Sequence, residues 1–150
     1  EEHRPPRMTG FPDLPPIREV PQPVLADSDV PGLYGNCVQA ALASALGLEL
    51  EVVPHFAQFT WWDIAVRLWL RGRSMDWESQ EGNAVPNGRS IVAGMSPRDT
   101  EHAVVGEGGK IVWDPHPSRA GLTVVTNYYL LVRWPDPGKD RICLFCRQPV

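Results

Sequence analysis

The sequence predicts an α+β domain in which helices come first and an antiparallel sheet follows. Residues 37–71 carry apolar side chains at helical spacing. Residues 89–134 instead contain four short runs rich in β-branched and aromatic residues. The chain has 150 residues, of which 43% are apolar and 21% charged, enough for one domain with its own core.

The N-terminal segment 1–32 is predicted to be a proline-rich extended arm. It holds many of the 16 prolines of the chain, and proline removes hydrogen bonds from a helix interior. We expect this arm to be a tail or to wrap around the domain. Residues 33–135 are expected to form the domain itself, and residues 136–150 a C-terminal tail.

Two helices are predicted. The first runs from Cys37 to Leu46, with Asn36 or Gly35 as its cap and Gly47 as its stop. The second lies in "TWWDIAVRLWLRGRS", where Thr60 and Asp63 are typical of a capping box. Its apolar residues form two stripes, so this helix should be buried or should face a partner.

Four strands are predicted in "RSIVAGM", "HAVVG", "KIVWD" and "NYYLLVRW". The glycine-rich stretch 106–109 should join the second and third as a four-residue hairpin loop. Residues 74–89, with Gly, Pro, Asn and Ser, are interpreted as a long loop. The six tryptophans should lie mostly in the core, with one or two lining a cleft.

Charge and composition narrow the function classes. A net charge of −4 leaves no broad basic surface for nucleic acid. No apolar run approaches the ~20 residues that cross a bilayer, and no signal peptide is visible. The three cysteines are an odd count, which argues against a disulfide scaffold. We therefore expect a cytoplasmic protein with one special thiol, binding neither nucleic acid nor membrane.

Cys37 is the candidate nucleophile because it falls in the first turn of a predicted helix. The unpaired N–H groups and the dipole there favour a thiolate and offer donors to a developing oxyanion. His102 opens one strand and Asp114 closes its hairpin partner. A carboxylate beside His102 would fix its tautomer and stabilise its imidazolium form, which suits a general base.

The hairpin register must be irregular for this arrangement to form. A four-residue loop pairs Val105 with Lys110 and leaves Asp114 on the face opposite to His102, because neighbouring residues alternate. A five-residue loop or a β-bulge would set Asp114 opposite His102. We therefore predict an irregular hairpin.

Two stretches resemble a known family. "GNCVQAALASALGL…VPHF" resembles the nucleophile helix of papain-fold cysteine peptidases, especially the bacteriocin-processing branch, and "EHAVVGEGGKIVWDPHPS" is similar to its His and Asp strands. The set "GNC…VPHF…GMSPR…HAVV…DPHPS" looks like small proteins of bacteria and their viruses. The resemblance covers about residues 22–132.

The resemblance implies a papain-like fold, a catalytic Cys37, His102 and Asp114, and cleavage of a peptide, isopeptide or other acyl bond through a thioester. It implies no cofactor. The family usually has an oxyanion-hole glutamine six residues before the cysteine, where this chain has Pro31. Gln22 lies further upstream and would have to loop back to serve instead.

Other residues are secondary candidates. Asn36 joins Gln22 as a possible oxyanion or substrate contact. Arg98 could bind a carboxylate or phosphate on a substrate, or lie unused in a surface loop. His116 could contact substrate or replace His102 as the base, or simply fill a turn.

Three alternatives to the hydrolase stay open. The same fold could support an acyltransferase or transamidase, or a non-catalytic protein that holds a small molecule or partner in its groove. A zinc site is the third, built from Cys37, His102, Asp114 and His116. Separately, Cys143 and Cys146 could form half of a zinc site, a reversible disulfide or two plain thiols.

Overall fold

The computed structural model describes residues 14–25 and 35–135. They form two α-helices followed by an antiparallel sheet, so the α+β prediction is confirmed. The helices are α1 (Cys37–Leu46) and α2 (Trp62–Arg71), with 3₁₀ turns at Leu50–Val52 and Phe56–Gln58 between them. The strands are β1 (Met75–Glu81), β2 (Ser90–Met95), β3 (Glu101–Glu107), β4 (Lys110–Trp113) and β5 (Val124–Arg133). Pro31, Cys143 and Cys146 lie outside the described residues.

Helix α1 has the predicted bounds, and Asn36 occupies its N-cap position, but the expected side-chain capping bond is absent. Gly47 ends the helix in the left-handed conformation, at φ 67°, which glycine adopts at little cost. The side chain of Asn36 makes no capping hydrogen bond. Its Oδ1 instead accepts the backbone N–H of Val24 at 3.0 Å, and so links the start of α1 to the segment 14–25.

Helix α2 also lacks its predicted capping box. Trp61, not Thr60, is at the N-cap, and no side chain caps the helix. Asp63 instead accepts a hydrogen bond from the indole Nε1 of Trp77 at 2.9 Å. The competing partner lies on a strand that the sequence pattern did not predict.

Only one side of α2 packs into the core. Val66 and Leu70 are fully buried, whereas Trp61 is 72% exposed and Leu68 is 52% exposed. Among the described residues, α2 is therefore not buried on both sides, and the alternative, that its exposed apolar side faces a partner, stays a prediction.

Strand β1 corrects the prediction of a long loop at 74–89. It pairs antiparallel with β5 and forms one edge of the sheet. Met75 and Trp77 are buried toward the core. Between them the carboxylate of Asp76 is buried as well, bonded to Arg67 and Arg71 of α2 at 2.9 Å each. A buried aspartate conceals the alternation that identifies a strand.

The strands lie in the order β1-β5-β2-β3-β4. Helix α1 packs against β3 and β2, and α2 packs against β1. The main core therefore lies between the two helices and one side of the sheet. The N-terminus of α1 comes to lie beside the beginning of β3, which positions the candidate site.

The β3–β4 hairpin turn is tighter than predicted. Glu107 pairs with Lys110, so only Gly108 and Gly109 form the loop. Both glycines have positive φ, at 66° and 80°, as a two-residue hairpin turn often requires. The four-residue loop was wrong because both strands continue up to the glycine pair.

The predicted irregularity of this hairpin is confirmed. Gly106 pairs with Ile111, but Val105 pairs with Trp113. Val112 is therefore an extra residue on β4, as in a β-bulge.

The described part of the N-terminal segment, 14–25, has no helix or strand and packs against the domain. Val20 is only 8% exposed, and its carbonyl accepts the indole N–H of Trp113 at 3.1 Å. Arg89 donates to the carbonyls of Pro15 at 2.5 Å and Ala45 at 2.8 Å. The segment therefore contributes to the core and to the positioning of α1.

Within the described residues, neither helix alone is long and apolar enough to cross a membrane. The helices Cys37–Leu46 and Leu50–Gln58 meet at a bend of 107°. By length and apolar composition alone, the two taken together could cross a membrane.

Candidate active site

His102 and Asp114 form a buried hydrogen-bonded pair. The Nε2 of His102 lies 2.7 Å from Oδ1 of Asp114, and each side chain is 4% exposed. Because the bulge adds Val112, the register places Asp114 level with Val104 and thus on the face of His102. The two residues are diagonal neighbours, not directly opposite as predicted. Without the bulge, Asp114 would be level with Ala103 and point away.

Asp114 is held by more than His102. Its Oδ1 also accepts the backbone N–H of His116 at 2.9 Å, and its Oδ2 accepts that of Gly121 at 2.7 Å. Arg119 closes the same loop by donating from Nη1 to the carbonyls of Asp114 and Pro115 at 3.1 Å each. No sequence pattern indicated the roles of Gly121 and Arg119.

These contacts set the charges of the pair. Burial disfavours the imidazolium, but the hydrogen bonds to Asp114 and Cys37 outweigh it and raise the pKa of His102 to about 9. Burial likewise disfavours the carboxylate, but hydrogen bonds from His102, His116 and Gly121 hold the pKa of Asp114 below its ordinary 3.8. At neutral pH the pair is therefore an imidazolium beside a carboxylate.

Cys37 is the first residue of α1, and its side chain is near enough to His102 to contribute to the raised pKa of that imidazole. An ionised carboxylate only accepts hydrogen bonds, so Nε2 of His102 carries the proton that Asp114 accepts. That leaves Nδ1 as the ring nitrogen for Cys37. Cys37 forms no disulfide within the described residues.

Cys37 and His102 lie in a cleft of about 630 Å³. The cleft crosses the sheet from β3 over β2 and β5 to β1. Its other lining residues are Gly35, Val38, Ala57, Trp62, Trp77, Ile91, Ala93, Gly94, Met95, Glu101, Ala103, Thr126, Asn127 and Tyr129. Two of the six tryptophans line the cleft, as expected.

Gln22 and Asn36 lie in a hydrogen-bonded chain next to Cys37. The carbonyl of Val24 accepts both the side-chain amide of Gln22 at 2.9 Å and the backbone N–H of Asn36 at 3.1 Å. The backbone N–H of Gln22 donates to Pro115 at 3.0 Å. Gln22 thus does come back to the site, between the residue before Cys37 and the residue after Asp114. Neither Gln22 nor Asn36 lines the cleft itself.

Arg98 and His116 belong to the loops that hold Asp114 and do not line the cleft. Arg98 donates from Nη1 to the hydroxyl of Ser118 at 3.0 Å. The Nδ1 of His116 accepts the backbone N–H of Ser118 at 3.0 Å. The ring of His116 lies edge-on to that of His102, with centroids 5.9 Å apart. It is His102, not His116, that is bonded to Cys37, so the geometry does not favour His116 as the base.

The zinc alternative finds no support in the geometry. Among residues 14–25 and 35–135, no group of three or more His, Cys, Asp or Glu side chains is placed to hold a metal ion. The proposed ligand set of Cys37, His102, Asp114 and His116 falls within these ranges. The pair Cys143 and Cys146 does not.

Comparisons with known proteins give no relative. No family model matches this sequence, and neither a curated protein nor a solved structure is significantly similar to the chain. The candidate site is therefore argued from its own geometry.

Proposed function

We propose that the chain is a papain-like cysteine hydrolase acting on a peptide, isopeptide or other acyl bond through a thioester intermediate. One observation carries the proposal. His102 is hydrogen-bonded through Nε2 to Asp114 and interacts with Cys37, which lies at a helix start that opens into the same cleft. A thiol, an imidazole and an orienting carboxylate in this order supply what nucleophilic acyl chemistry needs.

In the first half-reaction, the Cys37 thiolate attacks the carbonyl carbon and a C–S bond forms. The C=O electron pair moves to oxygen. When the tetrahedral intermediate collapses, the bond to the leaving group breaks, and His102 gives its Nδ1 proton to that group. Asp114 keeps the ring oriented and stays ionised throughout.

In the second half-reaction, water attacks the thioester carbonyl and His102 takes its proton at Nδ1. The C–S bond breaks, and the Cys37 thiolate and the His102 imidazolium are restored with release of the acid. An amine or alcohol that replaces water would give acyl transfer through the same steps. The two activities therefore share all three residues.

One group is proposed as an oxyanion donor. The backbone N–H of Cys37, as the first residue of α1, has no intrahelical acceptor. The side-chain amide of Gln22 donates to Val24 and does not line the cleft, so this role is not assigned to it. Donors of this kind typically contribute 10²–10³-fold to kcat, an order-of-magnitude figure.

The rate of Cys37 alkylation by iodoacetamide as a function of pH tests the proposal. We expect fast labelling well below the ordinary thiol pKa of ~8.5, because the imidazolium stabilises the thiolate. His102→Ala should abolish this low-pH labelling, and His55→Ala should not. Peptide mass spectrometry separates Cys37 from Cys143 and Cys146. Labelling of all three at the same rate, unaffected by His102→Ala, would reject the catalytic proposal.

An activated ester distinguishes an enzyme from a binding protein. With p-nitrophenyl acetate, a hydrolase or acyltransferase should release one nitrophenolate per chain in a burst as the acyl-enzyme forms. Cys37→Ser should show no burst. Added amines should speed the steady state only if acyl transfer competes with hydrolysis. A wild-type chain without a burst would favour the binding protein.

A further inference from the structure

The end of the cleft remote from His102 is a wall of three aromatic rings. Trp77 and Tyr129 stack with centroids 4.3 Å apart. Trp62, at the start of α2, meets both edge-on, at 6.1 Å and 6.0 Å. Trp62 and Tyr129 are half-buried, whereas Trp77 is 1% exposed and backs the other two. None of the three takes part in the chemistry proposed above.

The wall is rigid before any ligand binds. The rings pack in stacked and edge-to-face arrangements that are favourable beyond their burial. The indole N–H of Trp77 is fixed by Asp63 at 2.9 Å. A preformed apolar surface does not have to be ordered when a ligand binds, which favours affinity.

The sheet sets the distance from this wall to the chemistry. Ala103, next to His102, pairs with Ala93 on β2, and Ala93 pairs with Asn127 on β5. Tyr129 is two residues further along β5. Tyr129 is thus level with Val105, since both pair with Ile91. Two strand spacings across the sheet and three residues along it therefore separate Tyr129 from His102, which corresponds to about 14 Å between their backbones.

The cleft lining contains one carboxylate and neither Lys nor Arg. Among the described lining residues the carboxylate is that of Glu101, and the other ionisable side chains are those of Cys37, His102 and Tyr129. Burial, together with the nearby carboxylates of Asp63 and Glu101, raises the pKa of Tyr129 despite a hydrogen bond with Asn127. An anion brought to the wall would meet the same two carboxylates.

On the basis of the proposed function, we infer that the cleft selects substrates with a bulky apolar group, aromatic or branched, roughly 10–14 Å from the carbonyl that Cys37 attacks. The same wall discriminates against an anionic group at that position. The ligand class is therefore an uncharged apolar peptide side chain or acyl chain.

Tethered electrophiles test this inference. Iodoacetamides that carry a phenyl group on alkyl chains of increasing length are compared with matched chains that end in a carboxylate. Alkylation of Cys37 forms a C–S bond and releases iodide in every case. At the best length we expect the phenyl compound to react about 10-fold faster than the carboxylate, or 1.4 kcal/mol. Shorter phenyl chains should lose the advantage.

Two neighbouring tryptophans provide the matched controls. Trp62→Ala should remove most of the preference, whereas Trp61→Ala, at an exposed position outside the cleft, should leave it unchanged. Trp62→Leu, which keeps an apolar side chain, should retain part of it if Trp62→Ala does not fold. Equal rates for phenyl and carboxylate chains in the wild type would overturn the inference. So would a preference that survives both Trp62 substitutions.

The assay separates this inference from the proposed function. It is run about one unit above the ordinary thiol pKa of ~8.5, where any accessible cysteine is ionised. The ratio of rates then reports the cleft even if Cys37 is not activated. Slow labelling at low pH together with a phenyl preference here would reject the hydrolase and keep the apolar site.

Discussion

The two ends of the cleft are held in place by different kinds of interaction. At the His102 end, Asp114 accepts three hydrogen bonds, and its loop is closed by Arg119. At the far end, three aromatic rings pack together, and one hydrogen bond from Trp77 to Asp63 anchors them.

This difference predicts different responses to substitution. A buried charge that loses its partner is left uncompensated. Removing either His102 or Asp114 should therefore cause a large loss of stability and of low-pH alkylation of Cys37. Apolar packing loses stability in proportion to the volume and contacts removed, so the aromatic end should respond gradually. Four predictions test this contrast.

Asp114→Ala should have the largest effect, because it leaves His102 buried without its carboxylate. We expect a loss of about 3–5 kcal/mol in the free energy of unfolding, measured by urea denaturation at pH 6. Low-pH alkylation of Cys37 should also disappear. A loss below about 1 kcal/mol would show that the pair is not the buried charge pair described here.

The pH dependence of stability should report the same pair. The pKa of His102 rises from 6.5 to about 9 on folding, so its stabilisation is complete below 6.5 and is lost as pH rises through 9. The pKa of Asp114 is lowered from 3.8, so its stabilisation is present above 3.8 and is lost as pH falls through the lowered value. Stability should therefore decline by up to about 3 kcal/mol from pH 6.5 to above 9.

Urea denaturation across this range checks the prediction. The Asp114→Ala variant is the control, since its His102 no longer has the carboxylate that contributes most to raising the pKa. A wild-type profile as flat as that of the variant would contradict the imidazolium–carboxylate pair.

Arg119→Met should have a smaller effect. It removes hydrogen bonds to the carbonyls of Asp114 and Pro115 and the guanidinium contact with Trp113, 4.3 Å from the ring centroid. We expect about 1 kcal/mol less stability and several-fold slower alkylation of Cys37. Arg73→Met, which removes a comparable ring contact with Trp69 on α2, should leave alkylation unchanged. Equal slowing of Cys37 alkylation in both variants would mean that Arg119 does not position Asp114.

Asp63→Asn should have the smallest effect. The amide oxygen of Asn can still accept the indole N–H of Trp77, so stability should change by less than about 0.5 kcal/mol. The preference for phenyl-tethered electrophiles should persist. A loss as large as that of Asp114→Ala would show that the aromatic end also depends on a buried charge.

The sequence predicted most elements because their local signals agree with the fold. Helix α1 and strands β2 to β5 follow apolar periodicity and glycine stops. Strand β1 was missed because Asp76 is buried by Arg67 and Arg71 of another element, and no local pattern records that pairing. The capping predictions failed similarly, since Asn36 and Asp63 bind tertiary partners.

The candidate site was predictable to a similar depth. Cys37, His102 and Asp114 stand out because a helix start and a hairpin imply their proximity. Gly121 and Arg119 also donate hydrogen bonds to Asp114. These contacts were not predicted, because they depend on the conformation of an irregular loop. The aromatic wall combines residues of α2, β1 and β5. It could not be predicted from the sequence, because strand β1 was not predicted.

The bulge at Val112 has a consequence for how such chains are compared. Val112 contributes no atom to the His102–Asp114 hydrogen bond, yet deleting one residue from β4 would turn Asp114 toward the opposite face. A descendant with that deletion would keep its cysteine, histidine and aspartate in the same order and would still be matched by any motif built on their identities. In this hairpin, the hydrogen bond between His102 and Asp114 depends on the length of β4 as much as on the identity of the two residues.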